Sequence, residues 1–193
     1  MAFTMPVLKN AKRWPLALVA MLCFGMALPS AAAFQVQSLE ARFEDGLVIA
    51  DARLRYALSE PARDALENGV PLVIEQRLVI ERPRWWWRNI RVVERERRYQ
   101  LQYHAMSRRF VMTWIGTGES RSFRSLDALL EELGRVESWP LVRSERLDAE
   151  QVYQLAMETT LDLEALPRLL RTVTLTDGDW QLGSETHRVE VRR

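Results

Sequence analysis

After Cys23 the chain has no cysteine, and after Lys12 it has no lysine. The missing thiols exclude disulfides, cysteine nucleophiles and thiolate metal sites from everything that follows Cys23, so stability there must come from packing. Only two histidines, His104 and His187, are present. No nucleophile elbow, zinc-binding helix motif or glycine-rich phosphate loop appears, and Asp177-Gly178-Asp179 lacks the remaining ligands of a calcium loop. These absences argue against an enzyme and leave no cofactor and no metal to assign.

The segment ahead of Phe34 is of a different kind. Lys9, Lys12 and Arg13 form a basic start, Trp14 to Leu28 is uncharged and mostly apolar, and Pro29-Ser30-Ala31-Ala32-Ala33 supplies small residues for cleavage before Phe34. The pattern predicts a signal peptide over 1–33 and a single exported, β-rich periplasmic domain over 34–193. An uncleaved N-terminal membrane anchor is the alternative, and it exports the same domain. Cys23 follows Leu22 rather than a small residue, unlike a lipoprotein acylation site.

Of the 27 lysines and arginines, three precede Phe34, leaving 24 arginines against 26 acids and a net charge of −2. Near-neutrality gives no reason to expect a nucleic-acid binder. The charge is uneven. Between Arg82 and Arg109 nine arginines meet only Glu94 and Glu96, a local excess of +7, so the rest of the exported part carries −9. Such a segment could meet anionic lipid headgroups, a phosphate-bearing envelope polymer or an acidic partner. It could equally be a solvated strand face paired with Glu150, Glu158, Asp162 and Glu164.

Period-two hydrophobicity dominates the pattern. Gln35–Phe43 and Leu47–Leu58 flank Glu44-Asp45-Gly46 as a hairpin, with Val48, Ala50, Ala52, Leu54, Tyr56 and Leu58 on one face. Further strands are expected over 70–82, 90–105, 109–116, 136–143 (broken at Trp139-Pro140) and 187–191. Residues 149–166 fit either a capped helix or a strand; the alternation of Tyr153, Leu155, Met157, Leu161 and Leu163 favours strand. Arg95 and Arg97 interrupt the apolar face of 90–105, which predicts an overhang or a bulge there. Ser59 and Ser125 cap two short helices, closed by Gly69 and Gly134. The expected fold is mainly β (α+β): an antiparallel sandwich or partial barrel of seven to nine strands with two short helices.

Arg82-Pro83-Arg84-Trp85-Trp86-Trp87-Arg88 joins the two longest strands. Arg84, Trp85, Trp86, Trp87, Arg88 and Arg91 form the candidate binding surface, the rings serving as a platform and the arginines holding an anion. The competing reading buries the rings as a cap on the open end of the sandwich. If the segment is extended, Trp85 and Trp87 point one way and Trp86 the other.

Leu-Glu-Asn-Gly-Val-Pro-Leu at 66–72, Glu-Arg-Pro-Arg-Trp-Trp-Trp at 81–87, Arg-Arg-Tyr-Gln-Leu-Gln-Tyr at 97–103, Ser-Phe-Arg-Ser-Leu-Asp-Ala-Leu at 122–129 and Glu-Ser-Trp-Pro-Leu at 137–141 follow one another in order. From about Gln35 to Arg188 the series resembles an exported proteobacterial family known as domain of unknown function 4390. The resemblance implies no activity, cofactor or catalytic residue. Because genes of the family often lie beside one for a membrane sensor kinase of nitrogen regulation, the resemblance implies an envelope or membrane-sensor partner. The functional expectation is a non-catalytic periplasmic binding or interaction module. A carrier holding an apolar ligand or lipid inside the sandwich is the alternative. A hydrolase is a third reading, which would need His104 or His187 to face a serine or carboxylate.

Overall fold

The computed structural model describes residues 34–191 apart from Trp87, Leu169 and 171–177; the expected signal segment lies outside the described residues. Strands β1 (Gln35–Glu44) and β2 (Leu47–Arg55) form the expected hairpin. Asp45 and Gly46 turn it with φ of 49° and 75°, the left-handed pair that a two-residue hairpin turn needs. Helix α1 (Glu60–Glu67) follows, and the Ser59 hydroxyl accepts the Ala62 amide at 3.4 Å. Strands β3 (Leu72–Arg82), β4 (Ile90–His104), β5 (Arg109–Trp114) and β6 (Ser120–Phe123) run as consecutive hairpins. Helix α2 (Leu126–Leu133) is capped by Ser125 and buries Leu126, Leu129, Leu130 and Leu133. Strands β7 (Arg135–Arg143), β8 (Tyr153–Leu161) and β9 (His187–Val191) complete the chain order.

The nine described strands make two antiparallel sheets, one of order β1-β2-β7 and one of order β6-β5-β4-β3-β8-β9. β1 approaches β9 and β7 approaches β4, so the small sheet covers the inner face of the large one, and α2 takes over beside β5 and β6. The result is the expected mainly-β sandwich without barrel closure. Val48, Ala50, Ala52 and Leu54 of the small sheet bury with Leu72, Ile74, Leu78, Ile80, Leu101, Leu155 and Met157 of the large one. Burying a leucine or isoleucine contributes about 1.5–3 kcal/mol, so this layer carries most of the stability.

Four local expectations change. Residues 149–166 do contain a strand, β8, but it starts at Tyr153 and is followed by a single 3-10 turn, Leu163–Ala165. The segment 136–143 is not broken at Trp139-Pro140. It continues as one strand with two register irregularities and Ser138 at φ 49°, and Pro140 is tolerated because β7 is an edge strand. The bulge expected near Arg95 and Arg97 lies earlier: Ile80 pairs with Val93 but Glu81 with Arg91, leaving Val92 as the extra residue. β6 has no alternating apolar signal and is not among the expected strands. It is held by pairing with β5, including a 2.8 Å hydroxyl contact between Thr113 and Ser120. Asp177 lies outside the described residues, and Gly178–Trp180 forms a 3-10 turn.

One position breaks the apolar inner face of β3. Gln76 is fully buried there, and its Nε2 donates to the Tyr56 hydroxyl oxygen at 2.8 Å and to the Leu133 carbonyl at 2.9 Å. The Thr159 hydroxyl donates to the Glu75 carbonyl at 2.8 Å, so the Tyr56 hydroxyl is the donor in its 3.1 Å contact with Thr159. The chain of donors ties together the end of β2, β3, β8 and the end of α2. Burial pushes the Tyr56 phenol up to about 12, against the opposing pull of its bonds to Thr159 and Gln76.

Candidate functional site

β3 and β4 are the longest strands after one another in the chain, and their inner faces are anchored in the core, so the segment between them sits on a rigid stalk. The ladder runs to the Arg82–Ile90 pair, and the Asn89 amide closes the base by donating to Glu81 Oε2 at 2.9 Å. Beyond it Trp85 is 90% and Trp86 62% exposed. The cap reading is therefore overturned for these two rings. They do not alternate as an extended segment would: the backbone bends at both residues and the rings meet edge to face at 4.9 Å and 77°. Trp87, the third ring of the candidate surface, lies outside the described residues.

Arg84 and Arg88 are exposed beside the rings and make no ion pair among the described residues. Arg91, the remaining candidate, is turned back toward Glu94 at 2.7 Å and is partly neutralised. The rest of the arginine-rich stretch divides by chemistry. On the outer face of the large sheet Arg98 pairs with Glu96 at 3.8 Å and with Asp162, next to Arg77 with Glu75 (2.6 Å), Glu94 (3.5 Å) and Glu158 (3.5 Å). Burial works to lower the Arg77 pKa, but the bond to Glu75 and the charges of Glu75, Glu158 and Glu94 outweigh it and raise the value. Of the four acids expected as partners, Glu158 and Asp162 serve; Glu150 and Glu164 are exposed. Arg97 instead points inward, its guanidinium 4.1 Å from the Trp139 ring centre and 5.1 Å from that of Trp114.

Clefts open at the edges of the sandwich. One of about 250 Å³ between α2 and β4–β5 is edged by Arg97, Arg121, Glu132 and Arg135. Another of about 330 Å³, near Phe43, Leu147 and Val191, is bordered by Asp148 and Glu190. Each touches the rim of the core, the first at Met112 and Leu133 and the second at Leu147 and Tyr153. His104 is exposed at the end of β4 and His187 starts β9; neither side chain bonds a serine or carboxylate among the described residues. Among the described residues no three His, Cys, Asp or Glu side chains converge as metal ligands would.

The geometry thus yields one surface that packing does not explain, a tryptophan-tipped hairpin with free arginines. Comparison with known proteins supplies the lineage: the model of a family described as a domain of unknown function, DUF4390, matches residues 31–190. The chain belongs to the DUF4390 family. No curated protein and no solved structure matches it. The match runs from ahead of β1 into β9, so the DUF4390 domain takes in both sheets, both helices and the hairpin tip. The resemblance read from the ordered motifs between Gln35 and Arg188 covers the same region.

Proposed function

We propose that this DUF4390 domain is a non-catalytic binding module of the bacterial envelope, exported by its N-terminal segment as a single domain over 34–193, with the β3–β4 hairpin tip as its contact surface. The observation that carries this reading is the exposure of Trp85 and Trp86 on adjacent positions. Glycine, asparagine and aspartate normally serve a hairpin tip, because they supply the turn without exposing apolar surface. Two indole rings held in water do nothing for the core, and single-site exposed hydrophobics are far commoner than a contiguous aromatic pair. Tryptophan and arginine are also the residues that most often dominate contact energetics when desolvated. Arg84 and Arg88 add unpaired charge at the same place.

The test is site-specific photocrosslinking in intact cells, with a photoreactive phenylalanine analogue replacing Trp86 in the full chain. A second position, Arg53 on the exposed face of the small sheet, serves as control. An adduct formed from position 86 and not from position 53 is expected. Equal labelling at both positions, or none at either, would sink the reading. Amino-terminal sequencing of the protein recovered from cells checks export: a start at Phe34 is expected from cleavage.

A further inference from the structure

We infer that the partner of the hairpin tip is an anionic lipid bilayer surface, into whose headgroup region Trp85 and Trp86 insert while Arg84 and Arg88 meet lipid phosphates. The inference rests on the binding-module reading above and names its partner. Three observations favour a bilayer over a protein.

The first is shape. The rings stand past the last ladder pair, Arg82–Ile90, one residue beyond the Glu81–Gln154 pair that joins β3 to β8, rather than within a sheet face. A stable protein interface takes about 800 Å² from each partner, whereas two tryptophans present at most about 500 Å². Insertion of a narrow aromatic tip into an interface has no such area requirement, and amphipathic indoles settle at the headgroup level.

The second is charge. From Arg82 to Val93 the chain carries four arginines and no acid. Arg91 is engaged by Glu94 and Arg82 is half-buried in the last ladder rung, which leaves Arg84 and Arg88 exposed and free beside the rings. An arginine held near an anionic leaflet strengthens binding about fivefold. Its aliphatic stem can lie along the apolar layer while the guanidinium stays among phosphates.

The third is the distribution of the other exposed apolar side chains. Among the described residues six large hydrophobics are exposed: Trp85, Trp86, Val92, Met106, Ile115 and Val152. Val92 is the bulged residue at the foot of the hairpin. Val152 immediately precedes β8, whose Gln154 pairs with Glu81 near the end of β3. Four of the six therefore gather at one end of the large sheet. On the far flank of that end Asp148 and Glu150 are exposed ahead of Val152, so the hairpin side is the one that approaches an anionic surface.

Binding of the full chain to vesicles tests the inference. Phosphatidylglycerol-containing vesicles are compared with phosphatidylcholine vesicles, each with brominated acyl chains that quench inserted indoles. Trp14 and the apolar N-terminal run are common to every variant, so differences between variants report the tip. Expected results are quenching on anionic vesicles that falls in W85A/W86A relative to wild type, and a partition coefficient about 25-fold lower in R84Q/R88Q, fivefold for each arginine. Equal quenching of wild type and W85A/W86A, or equal binding to the two vesicle types, would overturn the inference. A protein adduct at position 86 without tip-dependent quenching would also overturn it while leaving the binding-module reading intact. Absence of both adduct and quenching would remove both.

Discussion

Replacing Tyr56 by phenylalanine removes one oxygen from the middle of the buried donor chain, and its effect should depend on pH in a way that no packing change imitates. At pH 8 the Gln76 amide loses one of its two acceptors, Thr159 loses the proton it accepts, and the ring itself still fits. Leaving a buried donor unsatisfied costs about 1–3 kcal/mol, so Y56F should be less stable by about 2 kcal/mol. Above pH 9 a second effect acts on the wild type alone. The folded phenol titrates at about 12 against 10.0 for an ordinary one. A raised pKa means that the folded state keeps its proton longer, so the associated stability is complete below pH 10 and is lost as pH rises from 10 to 12. The loss is about 1.4 kcal/mol by pH 11 and about 2 kcal/mol by pH 11.5. Other tyrosines and the arginines titrate in both proteins and cancel in the difference. Urea denaturation of both proteins at pH 8, 10, 11 and 11.5 should therefore show the gap closing, with the curves meeting near pH 11.5. A gap that stays constant from pH 8 to 11.5 would refute the raised pKa. No gap at pH 8 would refute the donor chain.

Three further substitutions probe other parts of the fold. Gly134 is needed for space, since a Cβ there would lie 2.2 Å from the Leu54 carbonyl oxygen, and the Leu54 amide bonds the Gly134 carbonyl at 2.8 Å. G134A should cost about 3 kcal/mol in urea denaturation because β2 or α2 must shift. R97A should cost about 1–3 kcal/mol through loss of both ring contacts, with R97K recovering part of it; equal stability of R97A and wild type would mean the guanidinium contributes nothing between Trp114 and Trp139. W85A/W86A should leave the thermal midpoint within about 1–2 °C of wild type, whereas W139A, at a buried site, should cost about 3–5 kcal/mol.

How much of this was legible from the chain depends on whether the information is local. The hairpin at Asp45-Gly46, the serine caps of both helices and the inner faces of β2 and β3 follow from spacing, because each residue's environment is fixed by its own element. β6 was invisible because Ser120–Phe123 contains no apolar alternation, and its strand conformation comes from β5. The second neighbour of β3 was equally hidden: β8 joins it from far along the chain, and β7 pairs with β2 in the other sheet. Gln76 could be seen as a polar residue on an apolar face, yet its network reaches Tyr56 just past β2 and Thr159 on β8, two elements remote in the chain from β3 and from each other. For the tryptophan triplet the residues were conspicuous but their burial was not. Whether Trp85 and Trp86 pack or project depends on how far the ladder extends past the core, and that is a property of the two sheets together.

The arginines show why composition alone misplaces a site. The segment from Arg82 to Arg109 is strongly basic, but its charges divide among three kinds of environment. Arg91 and Arg98 engage carboxylates, Arg97 engages two indole rings, and Arg82, Arg84, Arg88, Arg95, Arg108 and Arg109 make no ion pair among the described residues. Exposed ion pairs each add about 0–1 kcal/mol, so the paired group mostly secures solubility and register on the outer sheet face. Among these, Arg84 and Arg88 are distinguished by position: they stand beyond the last ladder rung, beside the only exposed aromatic pair of the described residues. Because the tip lies outside the core, its residues can change without unfolding the sandwich. That independence makes the surface separable by mutation, and loss of partner binding with an unchanged thermal midpoint is what would distinguish a site from a structural cap.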